Sequence, residues 1–524
     1  MRLLLLLLAG LVLAILAIGL LLRLLKPLPP LSGRPESRAF DTTDDTALGR
    51  LLAPQAAANP GLSGILPLSG ARDSFVARVL LVRAAERSLD LQYYIWHADI
   101  SGRLLLQELA DAADRGVRVR LLLDDNGTSG LDRELVELDR HPNIEVRLFN
   151  PFTVRRPKLI GYAMDFRRLN RRMHNKSLTA DNQATIVGGR NVGDEYFGAS
   201  RDSLFADLDV LAAGAVVPAL SADFDRYWES RSAYPVGAIL PPVPPGARVA
   251  LGPATAKAQA LAHAYHKAVA DSPLAQQLQG RNLELMWSPV RMVSDDPAKA
   301  LGMAGDSDLL IARLLPLLGD PRRCLGLVSA YFVPTAGGTA QLNSLVANGV
   351  RVSVLTNALN ATDVALVHAG YAKQRRALLK GGVRLFELKG EGKADLTPAR
   401  TGSGRMARPV FRSSGSSLHA KTFTADRERL FVGSFNFDPR SALLNTELGF
   451  LIDNPQLAGE LQDALDDGLG DAVYEVQLGR NGRHLQWLEQ TSAGPVTHHK
   501  EPNSGPLQRT MLKLLALLPI DWML

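Results

Sequence analysis

The feature that most constrains this chain is a short pattern that occurs twice in register. His174-Asn175-Lys176 is followed by Asp181 and then by Gly188, Gly189 and Asn191. His419-Ala420-Lys421 is followed by Asp426 and then by Gly433, Ser434 and Asn436. The two histidines are 245 residues apart. A second repeat gives nearly the same period: ADRGVRVRLLLDD and VANGVRVSVLTNA are one helix–turn–strand sentence, with Val117 and Val350 233 residues apart. Solenoid repeats run at roughly 20–50 residues, so this period marks an internal duplication, two similar domains packed face to face. The 524 residues accommodate that, at roughly 100–200 per domain.

Between the repeats the pattern is α/β. Helices are expected over Ser74–Ser88, Arg103–Arg115 and Leu131–Leu138, alternating with strands Leu89–Trp96, Val117–Leu123 and Ile144–Phe149. In the second half, strands Cys324–Phe332, Val350–Thr356 and Val383–Glu387 alternate with helices near Ala340–Ala347 and over Thr362–Leu379. Such alternation argues sheets covered by helices. The stretch Thr42–Ser69 reads as irregular, with a short helix at best. Tyr234–Arg248 concentrates five prolines, which stop helices and central strands, and marks a boundary. The expected division is an anchor and linker over 1–40, a first domain over 41–240, and a second over 241–524 with an apolar tail.

Leu3–Leu22 is a 20-residue uncharged run between Arg2 and Arg23. At about 1.5 Å per residue it spans a hydrocarbon core of about 30 Å, and no small-x-small cleavage site follows the run before Pro27. It reads as one uncleaved transmembrane helix that anchors the protein in a membrane. Arg2 and the free amine compete with Arg23, Lys26, Arg34 and Arg38, so the side of the membrane stays open. The tail Met511–Leu524 either packs on its domain or dips into a membrane interface. The sole cysteine, Cys324, excludes an intramolecular disulfide and a cysteine metal cluster, and its apolar run makes it a core residue. A formal charge of +6 does not establish a nucleic-acid binder.

The chemistry lies in the repeat. Alternation along a strand puts the His and Lys of H-x-K on one face. Two domains packed together then present two imidazoles and two ammonium groups, a site suited to a phosphate diester. One His attacks phosphorus, the other protonates the leaving oxygen, and the lysines offset charge on the equatorial oxygens. Asn191 and Asn436 add neutral donors. This arrangement calls for no metal and no cofactor.

These residues resemble the paired HKD motifs of the phospholipase D superfamily, from about residue 70 to the C-terminus. The resemblance implies two homologous domains, mixed sheets flanked by helices, about a pseudo-twofold axis, with one site working through a covalent phosphohistidine. It assigns His174 as nucleophile and His419 as general acid and then base. It also implies orienting carboxylates, matched here by Asp207 in FADLDV and Glu447 in NTELGF, and makes Asp181 and Asp426 more structural than proton-carrying. Within the superfamily, YYIWHAD at Tyr93–Asp99, NRRMHNKS, GGRNVGDEYF and the LPI ending resemble bacterial cardiolipin synthases, most of all the cardiolipin synthase C group. The implied reaction transfers a phosphatidyl group from phosphatidylethanolamine or phosphatidylglycerol to phosphatidylglycerol. Main-group synthases carry two N-terminal transmembrane helices, whereas this chain shows one run.

The basic run Arg155, Arg156, Lys158, Arg167, Arg168, Arg171 and Arg172 leads into the first motif, and Arg400, Arg405, Arg408 and Arg412 precede the second. Arg171, Arg172 and Arg412 are the candidates for binding an anionic head group. Tyr93, Tyr94 and Trp96 read as core. The motifs do not distinguish a lipid alcohol from water as acceptor, so hydrolysis to phosphatidic acid is the alternative. The apolar run and modest charge weigh against a nuclease, and two complete motifs weigh against a scaffold. An accessory subunit is left open.

Overall fold

The computed structural model describes residue 10 and residues 24–198, 207–244, 251–252, 256–280, 282–362, 364–390, 418–467, 469–482 and 484–518. The first half contributes β1 (Ser63–Leu68), β2 (Ser88–Ile95), β3 (Arg118–Gly127), β4 (Ile144–Phe149), β5 (Ser177–Ala180), β6 (Ala184–Gly188), β7 (Asp209–Gly214) and β8 (Ala233–Pro235), joined by β9 (Met286–Ser288). They form one sheet in the order β8-β4-β3-β2-β5-β6-β7-β1-β9. The second half supplies β10 (Val290–Ser294), β11 (Cys324–Ser329), β12 (Arg351–Asn357), β13 (Arg384–Leu388), β14 (Lys421–Ala425), β15 (Arg429–Gly433) and β16 (Leu448–Asp453). It continues with β17 (Val473–Leu478), β18 (Leu485–Thr491) and β19 (Gly494–His498). Their order is β10-β16-β15-β14-β11-β12-β13-β17-β18-β19.

The duplication is visible in the ladders. β2, β3 and β4 are parallel, as are β11, β12 and β13. β5, β6 and β7 then run antiparallel beyond β2, just as β14, β15 and β16 do beyond β11. The shared helix–turn–strand sentence has a local cause. Gly116 and Gly349 end their helices at φ 93° and 88°, a left-handed conformation that glycine adopts without steric cost. β-branched and leucine residues then enter the strand, where Val119, Leu121, Val352 and Val354 are buried.

Ser329, at the end of β11, lies three residues short of the expected strand end, and β3 continues past Asp124 and Asp125 to Gly127. The stretch Thr42–Ser69 departs most from expectation. It holds a 12-residue helix, Ala47–Ala58, and the strand β1. Thr46 caps the helix by accepting from the Gly49 N–H (3.0 Å), and Leu48 and Leu52 are buried, so Pro54 does not break it. Pro67 is tolerated in β1 because β9 pairs only with Ser63, Gly64 and Ile65. The proline-rich boundary assigns the next elements to the wrong half. Helix Ala256–Ala270 packs on the first half, where Tyr265 lies 4.6 Å from the Phe75 ring, and β9 joins the first sheet. Proline marks a connection but does not say where the chain goes next.

The halves share an apolar seam in which Val187, Val210 and Ala212 of the first sheet join Leu430, Val432, Leu448 and Phe450 of the second. The C-terminal helix Pro506–Ala516 buries Leu512 while Leu507, Met511 and Leu514 stay exposed. Apart from Gly10, the run Leu3–Leu22 lies outside the described residues, as do Arg412 with most of its basic loop and the last six residues. Among the described residues no helix is long and apolar enough to cross a membrane.

Candidate active site

The first motif occupies the extended approach to a strand, and the second runs from such an approach into the strand. His174, Asn175 and Lys176 precede β5, while His419 and Ala420 precede Lys421, the first residue of β14. Each lysine folds back on its own histidine: Lys176 Nζ donates to the His174 carbonyl (2.5 Å), and Lys421 Nζ to the His419 carbonyl.

The histidines are completed by carboxylates from the opposite half. His174 Nδ1 lies 2.8 Å from Glu447 Oε2, and His419 Nδ1 lies 2.6 Å from Asp207 Oδ2. The approach of the chains is fixed by backbone bonds, with the His174 N–H donating to the Thr446 carbonyl (2.9 Å) and the Thr446 N–H to the Arg172 carbonyl (2.9 Å). The glycines of the G-[GS]-x-N turns make room. A Cβ on Gly189 would lie 2.3 Å from Asp207 Oδ1, and one on Gly433 would lie 2.4 Å from the Leu448 carbonyl. Asn191 Oδ1 accepts from the Ile95 N–H (3.2 Å), and its buried Nδ2 has no protein partner among the described residues. Asn436 Oδ1 accepts from the Tyr331 N–H in the equivalent way (3.4 Å).

Burial pulls the His174 imidazole well below its ordinary range, and Lys176, Lys421 and His419 act in the same sense. Burial also lowers His419; Lys421 adds to this, whereas the bond and charge of Asp207 oppose it. Lys176 is likewise drawn far down by burial. The two carboxylates differ. Burial pushes Glu447 up to about 7 against the pull of Lys176. Burial would raise Asp207 too, but the His419 bond with Lys421 and Arg190 outweighs it and holds Asp207 well below the usual carboxylate range. The pairs are therefore alike in geometry and unlike in charge.

Asp181 and Asp426 stand apart from this cluster. Asp181 is about 16 Å of extended chain from Lys176, at about 3.3 Å per residue. Its carboxylate accepts from the N–H groups of Glu86, Arg87 and Ser88 (2.9, 2.7 and 2.9 Å), fixing the entry to β2. Asp426 does the same for Arg322, Arg323 and Cys324 before β11 (3.0, 2.6 and 3.1 Å). Both sit at positive φ, 51° and 55°.

Arg172, proposed for substrate, corrects the sequence reading. Arg172 is buried, with Nε and Nη2 on Asp124 Oδ1 (2.9 and 2.6 Å) and Nη1 on the Asn150 carbonyl (3.1 Å). Arg171 Nη1 serves the carbonyls of Leu443 (3.0 Å) and Lys299 (3.3 Å). Positive charge in a sequence does not reveal whether its donors are already taken. Much of the preceding run is also paired internally, as Arg155 is with Asp132 (2.6 Å) and Arg168 with Asp165 (2.6 Å).

Several supporting residues escaped the sequence reading. Asp124 Oδ2 accepts from the Met173 N–H (2.9 Å) and Asn357 Oδ1 from the Leu418 N–H (2.8 Å), so each holds the residue before a motif histidine. The 233-residue register that pairs Val117 with Val350 also pairs Asp124 with Asn357, and that was the available signal. Arg190 Nη2 donates to the Asp207 carbonyl (2.5 Å), and Asp295 Oδ2 accepts from the Glu447 N–H (2.8 Å). Tyr93 and Trp96 are core, but Tyr94 packs edge-on against His174 at 4.9 Å.

A family model described as cardiolipin synthase, PLD-like domain, matches residues 80–228 and 315–467, which contain both motifs and both carboxylates. The chain belongs to this phospholipase D-like family. Within it, cardiolipin synthase C of Escherichia coli (strain K12) is 47% identical over 481 residues, covering 91% of this chain and 99% of that protein. A cardiolipin synthase of Staphylococcus aureus is 25% identical over 410 residues, covering 78% of this chain and 67% of that one. The crystal structure of phosphatidylserine synthase from Haemophilus influenzae matches with a TM-score of 0.55 at 16% identity, over 90% of this chain and 99% of that one. That likeness is one of fold.

Proposed function

We propose that this protein is a cardiolipin synthase, transferring a phosphatidyl group through a covalent phosphohistidine from a phospholipid donor to phosphatidylglycerol. The observation that carries this reading is the crossed pairing of His174 with Glu447 and His419 with Asp207. With each Nδ1 held by a carboxylate, each Nε2 is left for the reaction. His174, kept neutral by burial, is the nucleophile. His419, beside an ionised Asp207, is the better holder of a proton and acts as general acid.

In the first step His174 Nε2 bonds to phosphorus, the bond to the donor's head-group oxygen breaks, and that oxygen takes the proton from His419. In the second, a hydroxyl of phosphatidylglycerol gives its proton to His419 while its oxygen bonds to phosphorus, and the P–N bond breaks to release His174. Lys176, Lys421 and Asn191 Nδ2 stabilise the equatorial oxygens. In this reading the two homologous halves are related by an approximate twofold axis, and Leu3–Leu22 anchors the site at the bacterial inner membrane.

The test is to incubate the purified protein in mixed phosphatidylglycerol and phosphatidylethanolamine vesicles and identify products by mass spectrometry. Cardiolipin with free ethanolamine supports phosphatidylethanolamine as donor, and cardiolipin with glycerol supports phosphatidylglycerol. Phosphatidic acid alone would replace synthesis with hydrolysis.

A further inference from the structure

We infer that helix Lys158–Leu169, together with Met303 and Leu443, forms a docking surface for an anionic phospholipid bilayer beside the paired motifs; this rests on the reading that the substrate is a phospholipid. The helix, which kinks at Asp165 (φ −143°, ψ 48°), buries Gly161, Met164 and Leu169 but leaves Leu159 and Ile160 before the kink and Phe166 after it exposed at 78%, 40% and 47%. Its inner face is already committed, since Tyr162 Oη donates to Asn126 Oδ1 (3.2 Å) and the Tyr162 ring packs on Phe152 at 5.1 Å. The outward apolar side chains therefore have no place left in their own core.

The other half of the chain contributes to the same neighbourhood. Leu443 and Met303 are 53% and 64% exposed. They flank Arg171, which donates to the Leu443 carbonyl and whose guanidinium lies 3.3 Å from where a Gly302 Cβ would stand. Arg171 is three residues before His174. Tyr162 is bonded to Asn126 of β3, the strand paired with β2, whose Tyr94 packs on the His174 ring. The surface thus lies next to the motifs, with contributions from both halves.

Charge selects the occupant. The Arg156 side chain is 86% exposed, and its nearest carboxylate, Asp132 at 3.9 Å, is held more closely by Arg155 at 2.6 Å. Arg167 is also exposed, while Asp165, the acidic residue of this helix, is bonded to Arg168. Large apolar side chains flanked by exposed arginines suit the boundary between acyl chains and phosphate head groups. A lipid lying there presents its phosphate close to His174.

The test uses the full chain reconstituted in vesicles. Cys324 is buried, so Leu159→Cys can be labelled with an environment-sensitive fluorophore and compared with Asp114→Cys, at the opposite end of β3. In phosphatidylglycerol vesicles the probe at 159 is expected to shift to the blue and to be quenched by lipids carrying nitroxides in their acyl chains. The probe at 114 is expected to do neither. Leu159→Asp with Phe166→Asp should lower conversion of vesicle lipid about tenfold and leave turnover of a soluble short-chain diester unchanged. No quenching at 159 while the same vesicle lipids are converted would overturn the docking surface and leave the proposed function standing. Quenching without conversion would support docking and count against the function. A shift that follows protein-to-lipid ratio, without nitroxide quenching, would assign the face to a second copy of the chain and overturn the proposal.

Discussion

His174 Nδ1 lies 2.8 Å from Glu447 Oε2, a residue 273 positions further along the chain and in its other half. His419 and Asp207, 212 positions apart, make the reciprocal contact at 2.6 Å. Each half thus holds a histidine whose carboxylate belongs to its partner half, and the site exists only when the halves are packed.

A site of this kind acts as a unit. His174→Ala and His419→Ala are each expected to lower phosphatidyl transfer by a factor of about 10³ or more, and the double variant should be little worse than either single one. Initial rates in mixed-lipid vesicles measure this, and additive losses would separate the two histidines.

Asp207 raises the His419 pKa against the burial that lowers it. In Asp207→Asn the negative charge is gone, the imidazolium loses its support, and the His419 pKa falls further. The alkaline limb of the pH–rate profile, set by protonated His419, should move to lower pH, with kcat down by about 10²–10³. An unmoved limb would assign the proton to another group.

Asp181 is expected to act on stability. It is buried and accepts three backbone N–H bonds, so Asp181→Ala should cost about 3 kcal/mol and lower Tm, while the folded fraction keeps turning over lipid. For Asp426, bonds from Arg322, Arg323 and Cys324 outweigh burial and hold the carboxyl below its usual range. A depressed pKa stabilises above the unfolded value, about 3.9, and that stability is lost as pH falls through the folded value. The difference in Tm between Asp426→Ala and the parent should therefore shrink below about pH 4.

Arg172→Ala leaves Asp124 buried without its partner, which typically costs about 3–5 kcal/mol. A lowered Tm that does not depend on lipid charge is expected. A higher KM for anionic lipid with unchanged Tm would restore Arg172 to substrate binding.

The spacing of the motifs and the helix–Gly–strand sentence make the duplication and the α/β ladders legible in the order of the amino acids, because both are local and periodic. The crossed pairing is not legible there. Asp207 and Glu447 stand near their own motifs in sequence, and only the packing of Val187 and Val210 against Val432 and Leu448 decides which histidine each one meets. Arg172 misleads for a related reason: its charge is visible in the sequence, but Asp124 is 48 residues away and brought to it by β3. Pro54 and Pro67 give their stretch an irregular look, although a Thr46 cap and a one-sided stretch of β1 tolerate them.

The most direct measurement is acid quenching of the enzyme during turnover of phosphatidylglycerol, followed by peptide mass spectrometry. The expected result is a phosphatidyl group on the peptide containing His174, absent from His174→Ala and retained in a His419 variant given a donor with a good leaving group. An adduct on the His419 peptide, or cardiolipin formed at full rate with neither histidine modified, would contradict the phosphohistidine route through His174.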